Sequence, residues 1–571
     1  MVVTRSKTHK EELERLINPI VESAIDETSF CEALHALINM VPTRGDGDAI
    51  SMNDTWPTVE RLKTKAAERV RDWFLTKIGG FCLVDHHQQN QTKLLEVRYL
   101  FKFLKGYAPA MANEVQEEYI EATSKMFFSY FRAYAARLFR LSMKDVATKD
   151  DLLGSLVPNE IAPKVLDDTF TIICSRNITD SRVKPHLWCV SDRKEIMNEQ
   201  VSHALIDPFD MTQNQQSYQF EALFRSFQLA FVDHYSHEFM FVCDFFLVAN
   251  AEAAEFHARA MARAASVVLK TCEEQIVLNW DAISLHLCIC LTSKFHAIIK
   301  EREVPDVAGY WENLKDILFT RLDQVMAAHN ESIRTVDLKK LQHNGSLDSR
   351  PHFIIRRYAE LTSSHLTIAK TSQEPIHDEM QAILVNSEDS MEQLLTRMSA
   401  MQQTQPDKHV FLINNYDLIL GIIDDGESNH NRIHALVHEL QQKSINDFAE
   451  VILDPHIGYM IKFIHDCEGL MSQGHTQLLE RHNERIPNVV KSFNEKWRPS
   501  IDIINTQVIK YFTNLRLGSH IIQIIFSKLV QYIQQFTKLL THEVFASNPA
   551  CRELVNVHQV MSEIKKCKSN Y

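Results

Sequence analysis

Backbone breakers are scarce in this sequence. Its 571 residues include 14 glycines and 16 prolines, about 5% together against an average usage near 12%. Tight hairpins and phosphate-cradling loops both depend on glycine, so hairpin-rich β folds and glycine-rich nucleotide sites are disfavoured. No G-x-x-x-x-G-K-[ST] or G-x-G-x-x-G occurs, and Gly45-Asp46-Gly47-Asp48 lacks the lysine and hydroxyl that would complete a phosphate loop. It reads as a turn. A basic excess is missing too: 61 Lys and Arg face 74 Asp and Glu, a net charge of -13, which leaves no global positive field for nucleic acid. The 11 cysteines show no paired rhythm, so we expect reduced thiols in a cytosolic setting. Residues Met1 to Glu12 hold no apolar h-region, so no secretory signal is expected. Long hydrophobic runs are absent as well. Phe239 to Val248 is interrupted by Asp244 and preceded by His237 and Glu238, and Ala282 to Thr292 falls short of the ~20 residues a span needs.

What remains is helical periodicity. Val115, Tyr119, Ala122, Met126, Tyr130, Tyr134, Leu138 and Leu141 recur every three or four residues and predict one long helix with a continuous apolar stripe. Leu62, Ala66, Val70, Phe74 and Ile78 mark a second, and Met380, Ile383, Leu384, Met391, Leu394, Leu395 and Met398 a third. Near-heptad spacing in the third suits a short coiled-coil seam or a bundle helix, and the bundle is favoured. Ile501, Ile504, Val508, Phe512 and Leu515 lead into a run from Ile521 to Leu540 and a closing helix from Pro549 to Lys566. Asn548-Pro549 and Asp454-Pro455 each set a capping residue before a proline, so helices are expected to start there. Turns are expected at Val41 to Pro57, Asn344 to Ser346, Gln405 to Asp407 and Asp424 to Gly426. The longest irregular stretch, Asp150 to Gln216, carries four prolines and a possible strand at Thr169 to Cys174. The expected organisation is an amino-terminal helical region over 1–150, an irregular connection over 151–216, a central bundle over 217–345 and carboxy-terminal bundles over 346–571. The fold class is all-α.

Catalytic chemistry finds no foothold. His434 and His438 lie one turn apart, but Ala435 stands where a zincin has its glutamate. Cys288 and Cys290 diverge by roughly 200° on a helix and cannot chelate together. Glu427-Ser428-Asn429-His430 matches Glu-x-x-His without a second copy, and the acidic turn Asp424, Asp425, Glu427 lacks a second metal-binding motif. There is no G-x-S-x-G elbow. No cofactor, metal or catalytic residue is therefore expected. A metal-dependent helical enzyme at the acidic turn and a solenoid adaptor remain as alternatives.

Several short stretches carry a resemblance. Phe220-Glu221-Ala222-Leu223-Phe224-Arg225-Ser226 and Phe241-Val242-Cys243-Asp244-Phe245-Phe246 resemble the vacuolar protein sorting-associated protein 52 family. So, in order, do Lys149 to Gly154, Tyr310-Trp311, Ser349 to His352 with Arg356 to Glu360, Phe411 to Asp417, Phe512-Thr513-Asn514 and Met561 to Lys566. The resemblance implies a non-enzymatic subunit of the GARP and EARP tethering complexes, acting in retrograde transport from endosomes to the trans-Golgi network and in endosomal recycling. It implies an elongated rod of stacked antiparallel helical bundles. The implied partners are the vacuolar protein sorting-associated proteins 51, 53 and 54, or syndetin in place of 54, with SNARE proteins and a Rab-family GTPase. The implied location is the cytosolic face of the trans-Golgi network and endosomes, with membrane contact through partners. Family members carry a longer amino-terminal coiled-coil portion, and this chain is expected to lack much of it. Leu13, Leu16, Ile17 and Ile20 form the apolar edge left there as a candidate partner contact, with packing on the chain's own bundle as the alternative.

Overall fold

The computed structural model describes residues 2–40, 49–81, 86–156, 187–198, 206, 217–307, 309–341, 347–372, 378–424, 432–472 and 476–568. The described chain is all-α. In order the helices are α1 (Val2–Glu22), α2 (Thr28–Asn39), α3 (Ala49–Gly79), α4 (His87–Glu96), α5 (Arg98–Tyr107), α6 (Pro109–Leu138), α7 (Phe220–Phe246), α8 (Asn250–Leu278) and α9 (Ala282–Glu301). Beyond them lie α10 (Tyr310–Thr335), α11 (Phe353–Ser372), α12 (Asp378–Ser399), α13 (Gln405–Asp424), α14 (Arg432–Ser472), α15 (Thr476–His482), α16 (Ile486–Tyr511), α17 (Leu515–Leu540) and α18 (Val557–Lys568). The one β feature among the described residues is an isolated bridge between Ser142 and Tyr218. The strand expected at Thr169 to Cys174 and the turns at Asn344 to Ser346 and Asp425-Gly426 lie outside the described residues.

Two compact units emerge, one of residues 1–148 with 193–323, the other of 149–192 with 324–571. In the first unit, every residue of the α3 stripe (Leu62, Ala66, Val70, Phe74, Ile78) is buried. The α6 stripe is buried at Val115, Tyr119, Met126 and Leu138, while Tyr130 and Tyr134 are half-buried at its margin and Phe127 and Phe131 complete the core. Asp281 starts α9 by accepting from Ile283 N (3.0 Å) and Ser284 N (3.1 Å). At the end of α7, Leu247 adopts a left-handed backbone (φ 53°) where glycine is usual. The Lys105 ammonium donates to the Phe246 and Leu247 carbonyls, at 3.2 and 3.0 Å, and so satisfies that helix end. In the second unit the core runs along α14, α16 and α17 through Phe448, Ile457, Phe463, Phe493, Ile504, Ile525 and Phe536. The α12 stripe, from Met380 to Met398, is buried throughout.

Several boundaries differ from expectation, and each difference has a cause. Pro455 does not start a helix but lies inside the 41-residue α14. Ile452, Leu453, Ile457 and Met460 are buried on both sides of it, and a few side chains worth about 1.5–3 kcal/mol each outweigh the ~3 kcal/mol a helix-interior proline costs. Pro57 likewise lies within α3, with its ring exposed. Gln405-Pro406-Asp407 opens α13 instead of forming a turn. Thr404 Oγ accepts from Asp407 N at 3.2 Å and donates to the Asp407 carboxylate at 2.6 Å, a reciprocal cap that fixes the start. Asn548 does act as a cap, but of a 3₁₀ turn over Pro549–Glu553, and α18 begins afresh at Val557. Leu515 is 67% exposed, because the stripe ends at Phe512, where the chain turns into α17. The apolar stretch at Ala282 continues to Glu301, giving a 20-residue helix long and apolar enough to cross a membrane; 72% of its apolar window is buried within the fold.

Candidate functional site

The apolar edge singled out in the sequence lies on α1. Leu13 and Ile20 are buried in the core that α1 shares with α2 and α3, and Leu16 and Ile17 are half-buried at its margin. Arg69 of α3 holds the helix down by donating to the Ile20 and Ser23 carbonyls, and its guanidinium lies over the Phe30 ring. Beside this contact, Ile25, Arg69, Asp72, Trp73, Thr76 and Lys77 line an open recess of 340 Å³.

Several of the family-like stretches of the second unit come together in space, and what they do there is fasten loops to helices. In the second unit, Asn414 donates to the Ser349 carbonyl (3.0 Å), while the Asn415 side-chain carbonyl accepts from His352 N (2.8 Å) and its amide donates to Phe411 O (2.8 Å). Asn514, which caps α17, donates to Asp417 at 3.1 Å. Arg357 stacks over Phe353 and donates to the carbonyls of Leu153 (3.2 Å) and Ser155 (2.8 Å). The Asp150 loop is fixed at its other side by Leu153 N on His329 Nδ1 (3.3 Å) and Gly154 N on Ser332 Oγ (2.9 Å). Gly154 is required by proximity. A Cβ there would sit 2.2 Å from the Ser332 carbonyl oxygen and 2.5 Å from its carbon, both backbone. Gly154→Ala should therefore destabilise the second unit by on the order of 1–3 kcal/mol through overpacking, read as a lower urea midpoint. A midpoint unchanged from wild type would show that the loop does not approach α10 in this way.

The first unit holds two buried polar clusters. Arg193, in a 3₁₀ turn over Ser191–Met197, pairs with Glu221 (2.7 Å) and Asp281 (2.8 Å), with side-chain exposures of 8%, 3% and 16%. Ser284 donates to the second oxygen of Glu221 at 2.8 Å. Burial works against the charge on Arg193, but Asp281 and Glu221 raise its pKa above the ordinary guanidinium value. Burial raises the Asp281 carboxyl against the pull of Arg193.

The other cluster surrounds Glu238 of α7, which is fully buried. Its carboxylate meets His87 Nε2 (3.1 Å), Gln91 Nε2 (2.9 Å) and the Tyr119 hydroxyl (2.8 Å), and Gln91 Oε1 in turn meets His237 (3.0 Å). Burial alone would raise Glu238, but the hydrogen bonds from His87 and Tyr119 outweigh it and its pKa is lowered. Burial holds the neighbouring His234 and His257 rings down at about 4.

Neither cluster offers chemistry to a substrate. Both are closed by packed side chains, and the buried thiols are held in the unreactive form, Cys272 pushed by burial up to about 12 and Cys467 to about 11. No group of three His, Cys, Asp or Glu side chains able to hold a metal occurs among the described residues. His434 and His438 share a face of α14 with their rings stacked at 6.3 Å. The acidic residues Asp425 and Glu427 lie outside the described residues. Sequence reasoning missed Arg193, Gln91 and Glu238 as structural partners. The available signal was a glutamate inside an apolar helix, which a soluble fold retains only where hydrogen-bond partners await it.

Fold and interior together define an all-helical scaffold whose polar side chains hold helices and loops in register. Residues 121–449 match the family model described as Vps52, C-terminal, and residues 13–104 match the Vps52/Sac2 family coiled-coil model. The vacuolar protein sorting-associated protein 52 homolog of Caenorhabditis elegans is 56% identical over 560 residues, 97% of this chain and 79% of its own length. The human homolog is 30% identical over 561 residues, 97% of this chain and 75% of its own. Among solved structures, a chain of Exo70 from S. cerevisiae aligns over 99% of this chain and 98% of its own with a TM-score of 0.49 at 9% identity. The chain belongs to the Vps52 family. That family supplies non-catalytic subunits to multisubunit tethering complexes in vesicle transport.

Proposed function

We propose that this chain is a subunit of a GARP- or EARP-like tether that captures endosome-derived carriers at the trans-Golgi network and serves endosomal recycling. It acts by binding alone, to the other subunits, to SNARE proteins and to a Rab-family GTPase, on the cytosolic face of those membranes. The observation that carries this reading is the relationship along nearly the whole chain, with the coiled-coil and carboxy-terminal family models matched in order. A partner reaching the edge of α1 would meet the half-buried Leu16 and Ile17 first, since Leu13 and Ile20 lie deeper.

Affinity capture of the tagged chain from its own cells, with identification of what is retained, tests the reading. The proteins related to subunits 51 and 53 should be recovered, with that related to 54 or to syndetin. Their absence, in a preparation where the tagged human homolog recovers its own partners from human cells, would overturn it.

A further inference from the structure

Helices α4 and α5 are neighbours of equal length, ten residues each, and they are held in different ways. On α5 the buried side chains are Leu100, Phe101, Phe103 and Leu104. On α4 they are His87, Gln91 and Leu94, so a single apolar side chain accompanies two polar ones. Both polar residues bond the same buried carboxylate, Glu238, and Gln91 also bonds Tyr119 and His237. His87 Nδ1 is buried and has no hydrogen-bond partner.

We propose that α4 is a detachable strap, docked on α7 through the Glu238 carboxylate and able to leave it while α5 and α7 stay packed. The two states are balanced by hydration. When docked, Glu238 is stripped of water and compensated by three side chains, and leaving such a group partly compensated is costly. Once α4 departs, the carboxylate regains water, keeps the Tyr119 hydroxyl, and His87 Nδ1 finds a partner in solvent. The apolar penalty is the loss of one buried leucine and of the edge contacts that the His87 ring makes with Phe81 (5.5 Å) and Phe127 (5.4 Å). An element with a single buried aliphatic side chain belongs to the low-stability end of a fold. Because α4 lies within the stretch matching the coiled-coil family model, the strap gives that part of the chain a second conformation that a binding partner can select.

Hydrogen exchange of the full chain at neutral pH, tracked peptide by peptide, tests the proposal. Protection of the α4 amides should be at least tenfold weaker than that of α5 and α7. Gln91→Ala should weaken α4 by a further tenfold and leave α5 and α7 as they were. Equal protection of all three helices in the unaltered chain, or a uniform loss across them in the variant, would overturn the strap.

Discussion

Arg193→Ala is expected to lower the unfolding free energy of the first unit by about 3–5 kcal/mol, seen as a marked fall in its urea midpoint. The size reflects what the substitution leaves behind. Glu221 and Asp281 would face each other at 3% and 16% side-chain exposure with no cation between them, and burial already raises the Asp281 carboxyl while Arg193 is present. Hydration cannot rescue Glu221 without opening the fold. The triple replacement Arg193→Met, Glu221→Gln, Asp281→Asn should recover more than half of the loss, because it removes the buried charges together. Asparagine preserves the cap on Ile283 N and Ser284 N, and glutamine preserves an acceptor for Ser284. A loss below about 1 kcal/mol for the single variant would mean that the pair is solvated in solution.

Acid should destabilise both units well before most carboxylates titrate. Burial holds His234 and His257 in the first unit, and His329 and His352 in the second, at about 4, against an ordinary value of about 6.5. The folded pKa lies below the unfolded one, so between those limits the unfolded chain binds more protons. Stability is therefore at its full value above about pH 6.5, falls as the pH drops towards about 4, and levels off for these groups below that. By pH 5 each ring should cost on the order of 2 kcal/mol. Hydrogen bonding reinforces the neutral form in the second unit: His329 Nδ1 accepts from Leu153 N and His352 Nδ1 from Ile354 N, and neither can do so once protonated. Urea midpoints measured at pH 7.5 and pH 5.0 should differ strongly, and His234→Phe should remove part of the first unit's difference. A pH-independent midpoint over this range would contradict the burial of these rings.

Legibility in the sequence tracks the range of the forces involved. Apolar stripes such as Leu62 to Ile78 or Met380 to Met398 are local: the helical period is written within one segment, and burial keeps to that period closely. Cap residues were legible as well, at Asn548 and Asp454, whereas the start of α13 reads as a turn at Gln405 to Asp407; whether a cap begins a helix depends on packing further along the chain. At Pro455 the flanking apolar residues overrode the signal. The polar interior was not legible, because its partners are distant in sequence. Gln91 and Glu238 are separated by 147 positions, and Arg193 reaches 88 positions to Asp281 from a stretch with no periodicity. The short family-like stretches were legible as a resemblance. Their structural role, Asn415 holding His352 and Asn514 holding Asp417, emerges only once the helices are assembled.

The proline inside α14 leaves a trace beyond its local geometry. Asp454 folds its carboxylate over the turn after Pro455, and the space it occupies exists because residue 458 is glycine: an added Cβ there would stand 2.4 Å from Asp454 Oδ1. The middle of the longest described helix thus holds a cap-type residue before a proline without a helix start. Pro455 has no N–H to offer the Val451 carbonyl, so the hydrogen-bond ladder of α14 carries a gap between Arg432 and Ser472, and its two halves are held in line there by the buried side chains on either side, Ile452, Leu453, Ile457 and Met460.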